Sequence, residues 1–417
     1  MKAIIPISFA ILLGTTTLNK NTSFVPSNLN EVSPTEIFND DKISNNTGLE
    51  YYSYPTDVNT KYSEFGSGVF RNKFIIVSSK KIGGFGNGVD KNTNEPFTEL
   101  FCLDIKKDAS LENPLFFSRI LNTKHNEGQV AFTSDEKTIY YTRSLRKNAK
   151  NYQLFKATLD VNSSGKWINH KKITFNNMHS VETPFVSADG KSLYFSSNRP
   201  GGFGGFDLYV APIKGDGTIG EPVNLGATVN SDKDEKYPQL SKDEKRLFFA
   251  SNGHEGFGAM DLFVSRKLKD SYKAPRNLGN KVNTASNEVA LTFVDDVVGY
   301  FSSNKKGGEG SYDLYKIEAQ PVFQELEGTI VDGVTDTLLP NSTVVLYDED
   351  NDEIARQTTG ADAHFSFKAM AFENYTIKVE KEGFENTESV IADNTTYKSI
   401  LKTVVKLNSD SAVAKKK

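Results

Sequence analysis

Two residue types that many active sites require are scarce in this sequence. Its 417 residues include one cysteine and five histidines. The single Cys102 excludes a disulfide framework, and because it lies in a β-like segment well after the N-terminal apolar run, no lipoprotein attachment site is expected. The histidines are scattered without the spacing of metal ligands, and no G-x-S-x-G elbow occurs. We therefore predict no catalytic residue, no metal and no cofactor, and a protein that is not an enzyme.

Long apolar runs and an excess of positive charge are also absent. The net charge is −4 with both signs interspersed, which argues against nucleic acid as a partner. The apolar run at residues 3–13 follows Lys2 and is too short to span a bilayer, as in a secretory signal peptide. We predict a signal peptide over residues 1–20 and a flexible lead-in over residues 21–48. An N-terminal core strand is the alternative for the apolar run.

The most informative feature that the sequence does contain is a repeated motif. Residues 191–209 read KSLYFSSNRPGGFGGFDLY, and residues 245–263 and 297–315 repeat the order of aromatic run, Ser-Asn step, Gly-rich loop and Asp-Leu-aromatic run. The equivalent aromatic residues Phe195, Phe249 and Phe301 lie 52–54 residues apart. Weaker copies begin near residues 73 and 137, so we count five units.

Each unit reads as about four short strands, because apolar and polar residues alternate between clusters of Gly, Asn, Asp and Pro. Four strands per roughly 50 residues is typical of a β-propeller blade. The last unit lacks a fourth strand, and we expect residues 49–59 to supply it and close the ring. The predicted fold class is all-β, with a five-bladed β-propeller over residues 49–320, a small Ig-like β-sandwich over 321–407 and a disordered tail over 408–417.

The SSNRPGGFGGFDLY motif resembles the WD-like propeller repeats of the OmpA-family envelope proteins of Bacteroidetes. The segments EGTIVD, LLPNSTVVLYD, ADAHFSF and YTIKVEKEGF resemble a carboxypeptidase regulatory-like domain, with Ala363-His364 replacing its usual Asp-Gly. Signal peptide, propeller and this domain in that order are similar to PorE-like periplasmic proteins. An OmpA-type domain and helical repeats, which such proteins carry, are not seen, so peptidoglycan anchoring is not expected.

The resemblance implies a non-enzymatic periplasmic scaffold associated with the outer membrane, whose partners are outer-membrane or periplasmic proteins, in connection with type IX secretion or gliding. The alternative function is a glycan-binding or glycan-processing accessory protein. A pocket that clusters aromatic and carboxylate side chains on one propeller face would favour this alternative.

Two sets of repeat residues are candidates for a role. Asp207, Asp261 and Asp313 open the third strand of three units, and their recurrence predicts a structural role as acceptors of loop hydrogen bonds. Propellers bind partners through loops held by rigid blades, so the loop tips are the candidate partner-contact residues. These tips are Asn198, Arg199, Asn252, His254, Asn304 and Lys305.

Three other motifs are weak. The Gly-rich loops join two strands, whereas a phosphate cradle needs a following helix, so glycine there serves tight connections. SADGKSLYF at residues 187–195 lacks the glycine spacing of a sialidase Asp-box. Asp348, Asp350 and Asp352 begin like a calcium loop, but the required Gly and Glu are absent, and we expect a solvated hairpin tip.

Overall fold

The computed structural model describes residues 46–81, 88–91, 93–145, 148–162, 165–175, 180–391 and 397–409. The predicted signal peptide, most of the lead-in and the tail from residue 410 lie outside these ranges. Every regular element in the described residues is a β-strand, and none of them forms a helix long and apolar enough to cross a membrane.

Five four-stranded antiparallel sheets form the blades of a β-propeller in the described chain. The first strand, β1 (Leu49–Pro55), belongs to the last blade. The strands of each blade are given from the inner to the outer one. Blade 1 comprises β2 (Glu64–Phe70), β3 (Lys73–Ser78), β4 (Glu99–Ile105) and β5 (Leu111–Phe116). Blade 2 comprises β6 (Glu127–Phe132), β7 (Thr138–Leu145), β8 (Asn148–Asp160) and β9 (Lys166–Lys172). Blade 3 comprises β10 (Val181–Val186), β11 (Ser192–Ser197), β12 (Asp207–Pro212) and β13 (Val223–Asn224). Blade 4 comprises β14 (Glu235–Leu240), β15 (Arg246–Ser251), β16 (Asp261–Arg266) and β17 (Arg276–Asn277). Blade 5 comprises β18 (Glu288–Phe293), β19 (Val298–Ser303), β20 (Asp313–Pro321) and β1.

The predicted closure of the ring is confirmed. β1 pairs antiparallel with β20 from Leu49 opposite Pro321 to Pro55 opposite Tyr315, so the N-terminal strand is the outer edge of blade 5. Tyr51 on this strand is fully buried. The outer strands of blades 3 and 4 are only two residues long.

Each apolar cluster of the propeller lies between two neighbouring blades. Leu193 and Phe195 pack toward blade 2, whereas Tyr194 packs toward blade 4. β11 is buried on both faces, because a blade is covered by a neighbour on each side. Cys102 is half-buried beside the cluster between blades 1 and 2.

The C-terminal β-sandwich consists of two sheets around one apolar cluster. One sheet contains β21 (Phe323–Asp332), β24 (His364–Met370) and β27 (Ile400–Leu407), and the other contains β22 (Thr343–Tyr347), β23 (Glu353–Thr358), β25 (Tyr375–Glu380) and β26 (Thr387–Ile391). Ala363, at the altered Asp-Gly position, is buried in a turn with a φ of 52°. Phe365 and Phe367 of β24 lie in the cluster together with Val344 and Ile377.

The acidic hairpin between β22 and β23 is solvated only in part, which corrects the expectation from sequence: Asp352 is 67% exposed, whereas Asp348 and Asp350 face the propeller. Asp348 lies 2.5 Å from Lys245 and 3.5 Å from Arg266, both on blade 4. Its side chain is 11% exposed, and the neighbouring Asp350 lies 3.1 Å from the same Arg266. The carboxylates that resembled a calcium loop are thus neutralised by the propeller and bind the sandwich to it.

Candidate binding site

The inner strands of the five described blades contact one another in a ring around a central channel. β2 contacts β6 and β18, and β10 contacts β6 and β14, while β14 also contacts β18. We call the side of the ring that carries the Gly-rich loops (residues 198–206, 252–260 and 304–312) the loop face. The opposite side, with the turns at residues 187–190 and 241–244, is the turn face. The central channel therefore runs from the loop face to the turn face.

A buried glutamate begins four of the inner strands, at the loop face. It accepts hydrogen bonds from both the main-chain N–H and the hydroxyl of a Thr or Ser four residues earlier, as in Ser231 N–H and Oγ to Glu235 at 2.8 and 2.6 Å. The four pairs are Thr60 with Glu64, Thr123 with Glu127, Ser231 with Glu235, and Thr284 with Glu288. We call this arrangement the glutamate clamp. The signal for it was the repeated N-[ST]-x-x-x-E pattern, whose role sequence reasoning missed.

Burial raises the pKa of two clamp carboxyl groups, those of Glu64 and Glu127. Burial raises the pKa of Glu64 to about 7, against the opposing hydrogen bonds from Thr60. Burial also raises the pKa of Glu127 to about 7, although Arg143 lies 2.8 Å away and favours the charged form. Blade 3 departs from the pattern, because Val181 stands at the clamp position and Glu182 follows it.

Asparagines one residue before the clamp Thr or Ser join consecutive blades. Each asparagine bonds to one leucine of the preceding blade through both halves of its side-chain amide. The side-chain oxygen accepts from the main-chain N–H of that leucine, and the side-chain NH₂ donates to the main-chain carbonyl of the same leucine. The pairs are Asn59 with Leu314, Asn122 with Leu100, Asn230 with Leu208, and Asn283 with Leu262. We call this contact the asparagine staple. Asn59 makes it across 255 residues, which shows that the ring closes with the same bond that joins blade 1 to 2, blade 3 to 4 and blade 4 to 5.

The repeat aspartates lie where the Gly-rich loops return to the third strand. Asp207 accepts from the N–H groups of Phe203 and Gly204 at 2.7 and 3.0 Å, and from the amide of Asn224 at 2.7 Å. Asp261 accepts the equivalent bonds, and Asp313 accepts from Gly310. These are hydrogen bonds within a loop and to the neighbouring strand, and their contribution to stability stays a prediction.

The three candidate partner-contact asparagines occupy equivalent corners of the loop face. The side-chain oxygens of Asn198, Asn252 and Asn304 accept from main-chain N–H groups of the segments that lead into the inner strands, at 2.8–2.9 Å. The asparagines thus fix the loops, and the residue that follows each one differs between blades.

The other candidates at these loops are partly exposed. Arg199 is half-buried. The ring of His254 lies 2.8 Å from the carbonyl of Val229 and packs edge-on against Phe249. The Lys305 ammonium lies 3.7 Å from the centre of the Tyr315 ring, and burial lowers its pKa. The loop face therefore presents different side chains on equivalent, hydrogen-bonded frames.

A cavity of about 180 Å³ lies in the channel at its loop-face end. Its wall combines aromatic side chains, hydroxyls and two carboxylates from blades 1 to 4. The lining includes Phe65, Thr98, Thr142, Tyr152, Tyr237, Gln129, Glu127 and Glu182. Burial raises the pKa of Tyr152 and of Tyr237. No group of three or more His, Cys, Asp or Glu side chains in the described residues could hold a metal ion.

These sheets define an all-β protein, a five-bladed propeller followed by an Ig-like sandwich. Residues 325–402 match the family model of the carboxypeptidase regulatory-like domain, which covers the sandwich. Comparison with curated proteins found no match for the chain.

Several solved structures are similar to the chain at low identity. TolB from Acinetobacter baumannii is 14% identical, and the match covers 60% of this chain and 53% of the TolB chain with a TM-score of 0.31. An α-L-arabinofuranosidase from Lactobacillus brevis is 9% identical, with 64% and 92% covered and a TM-score of 0.42. A GH43_1 enzyme from Xanthomonas citri is 12% identical, with 64% and 90% covered and a TM-score of 0.40. The chain spans about half the length of the TolB structure, and these likenesses concern the fold and carry no function to this chain.

Proposed function

We propose that this protein is a non-enzymatic interaction platform that binds a partner protein through the loop face of its propeller. The observation that carries the proposal is the loop frame: equivalent asparagines hold three loops in place, while the following residues, Arg199, Gly253 and Lys305, differ in size and charge. Rigid blades that present varied loops are a common basis for protein recognition.

The state of the carboxylates supports binding over catalysis. A glycosidase needs one carboxyl group that protonates the leaving oxygen and a second that attacks or activates water. In the cavity, Glu127 is held by Thr123 and Arg143, and Glu182 is held by Ser180 and Lys236. Because each carboxyl group is bonded to a hydroxyl and paired with a cation of its own chain, these contacts support a structural role for both groups.

The location and the partners extend the sequence resemblance. We infer a periplasmic protein associated with the outer membrane, similar to OmpA-family and PorE-like proteins, with outer-membrane or periplasmic partners and a connection to type IX secretion or gliding. The regulatory-like sandwich, fixed to blade 4 by ion pairs, would serve as a spacer or second docking module.

Cross-linking in native membranes, followed by identification of the partner and of the linked residues, tests this function. We expect the links to fall on the loop face, and we expect the double variant Arg199→Glu with Lys305→Glu to recover severalfold less partner, since charges at an interface rim govern association. Lys171→Glu, on the exposed outer strand of blade 2, is the matched charge-reversal control. Links confined to the turn face, or equal recovery by both variants, would contradict the proposal.

A second candidate function is glycan binding without processing. The observation that favours it is the cavity itself, which clusters the aromatic Phe65, Tyr152 and Tyr237 with the carboxylates of Glu127 and Glu182. Screening the full chain on a glycan array tests this candidate, and the absence of binding to every glycan class would count against it.

A further inference from the structure

The inner strands carry a shared irregularity at the height of the cavity. In all five described inner strands the pairing with the second strand shifts by one residue, which is a β-bulge. The bulged residues line a narrow extension of the channel of about 30 Å³. Gln129, Thr183 and Tyr237 line both this extension and the larger cavity. One ring of bulges therefore forms the wall of both spaces.

The backbone at three of the bulges is unusual. Thr183, Tyr237 and Ala290 have φ values of 50°, 58° and 56°. Positive φ is uncommon outside glycine, and it is least favourable for a β-branched residue such as Thr183 or a bulky one such as Tyr237. Bulges next to binding sites redirect side chains, and strained residues cluster at such sites. The side chains on these bulges differ from blade to blade, unlike the clamps and staples.

One bulge side chain in this ring has an unused hydrogen-bonding atom. In blade 1, Ser67 Oγ accepts from the Val130 N–H at 2.7 Å, and in blade 3, Thr183 Oγ1 accepts from the Tyr237 N–H at 3.1 Å. Gln129 occupies the bulge of blade 2, yet its Oε1 has no partner among the described residues although the residue is only 9% exposed. A buried acceptor without a donor is costly, and a bound molecule or water would relieve that cost.

The charges around the cavity indicate an uncharged ligand. Glu127 pairs with Arg143 at 2.8 Å, and Glu182 pairs with Lys236 at 2.9 Å. Both carboxylates of the wall are thus compensated, so a charged ligand would gain no counter-ion there and would lose its hydration. The remaining polar groups are the hydroxyls of Thr98, Thr142 and Tyr237 and the Gln129 amide, beside aromatic walls. Neutral donors and acceptors next to aromatic rings fit a molecule with both hydroxyls and an apolar face.

We propose that this cavity binds one ring of a neutral sugar, with a sugar hydroxyl donating to Gln129 Oε1 and the ring against Tyr152 and Tyr237. At about 180 Å³ the cavity is smaller than the sites of drug-sized ligands, which occupy roughly 300–1,000 Å³. A cavity of that size fits one sugar ring, and the rest of a longer saccharide would extend toward the loop face. This inference rests on the second function proposed above and gives it a site and a ligand class.

The test uses the full chain and a panel of neutral monosaccharides and disaccharides, with glucuronic acid and glucosamine as charged counterparts. Binding is followed by saturation-transfer NMR and isothermal titration calorimetry. We expect neutral sugars to bind more tightly than charged ones. Gln129→Leu and Tyr237→Phe, which keep shape and remove polar atoms, should each weaken binding at least about tenfold. Lys191→Glu, on the turn face, is the control that should bind normally.

Stability measurements separate a ligand role of Gln129 from a structural one. Because its oxygen lacks a partner, Gln129→Leu should melt at the same temperature as the wild type or higher, and a marked drop would show that the amide holds the fold and overturn the proposal. No binding of any neutral sugar at millimolar concentration, or preference for the charged sugars, would also overturn it. A crystal structure soaked in sugar that shows only an ordered water on Gln129 would do the same. Cross-linking to a protein through the loop face without sugar binding would leave the platform function standing and this inference refuted.

Discussion

At the scale of single residues, the repeated side chains are committed to the architecture. The clamp glutamates, the staple asparagines and the loop aspartates each bond to main-chain groups at equivalent places. Buried polar groups that are fully hydrogen-bonded hold one arrangement of the chain, because a broken partner would leave a desolvated group. The recurrence of these side chains is thus explained by geometry, and in the sugar site that we propose specificity belongs to positions that vary, such as Ser67, Gln129 and Thr183.

The buried clamp of blade 1 predicts a pH dependence of stability. Burial raises the pKa of Glu64 from its ordinary value of 4.5 to about 7, so the folded state binds the proton more tightly than the unfolded state. This contribution to the free energy of unfolding is present below pH 4.5 and is lost as the pH rises to about 7. Glu64→Gln cannot titrate, and its free energy of unfolding should fall less over that range, by about 1–3 kcal/mol.

Chemical unfolding at a series of pH values measures the difference. The exposed Glu309→Gln is the control with the same chemical change and should follow the wild type. Equal slopes for Glu64→Gln and the wild type would mean that the Glu64 carboxyl has no raised pKa in the folded protein.

At the scale of elements, the ring depends on one strand taken from the opposite end of the propeller sequence. β1 completes blade 5 by pairing with β20 and brings Leu49 and Tyr51 into the cluster between blades 4 and 5. Without it, β20 would be an exposed edge with unpaired main-chain groups. The glycines of the loops serve the same element-level purpose: a Cβ on Gly310 would lie 1.9 Å from the Tyr62 carbonyl oxygen, where the loop meets the segment before β2.

Deleting residues 49–58 should markedly lower the melting temperature. Loss of the burial of Leu49 and Tyr51 alone removes about 3–6 kcal/mol of apolar stabilisation, before the lost strand pairing is counted. Asn59→Ala, which removes the staple to Leu314 and the hydrogen bond from the Thr56 hydroxyl, should lower the melting temperature less. Thermal unfolding monitored by circular dichroism compares the three proteins. An unchanged melting temperature for the deletion would be incompatible with a ring closed by β1.

At the scale of the whole molecule, the sandwich is bound to blade 4 by complementary charge. Lys245, Arg266 and Lys273 of the propeller face Asp348, Glu349 and Asp350 of the sandwich hairpin. A second contact joins Arg246 to Glu373 at 2.9 Å. Partly buried pairs of this kind fix a mutual orientation, because each charge loses water on docking and keeps its energy only with its partner.

Asp348→Ala should destabilise this contact much more than Asp352→Ala. Asp348 is 11% exposed and lies near both Lys245 and Arg266, so its loss should cost about 1.5–3 kcal/mol of unfolding free energy. Asp352 reaches the same Lys245 at 3.2 Å but is 67% exposed, so its loss should cost under about 1 kcal/mol. Denaturant unfolding of the two variants provides the readout. Similar losses for the two variants would indicate that the hairpin is solvated in solution.

Much of the fold was predictable because its determinants are local and repeated. The alternation within short runs, the glycine loops and the Asp-Leu step recur at a fixed spacing and indicate blades. The clamp pattern N-[ST]-x-x-x-E was also visible, yet its meaning was not, because the Glu64 carboxyl and the Thr60 hydroxyl reveal their bond only once the turn between them is formed.

The sequence by itself determined the all-β class, the five repeats and the strand that closes the ring, since strand periodicity and turn chemistry act over a few residues. Only the tertiary structure decided that the acidic hairpin docks on blade 4, over 103 residues from Lys245 to Asp348, and that Gln129 and Tyr237 share a cavity. Contacts between distant segments depend on how rigid sheets pack around the ring, and packing against a neighbour leaves no local pattern in the chain.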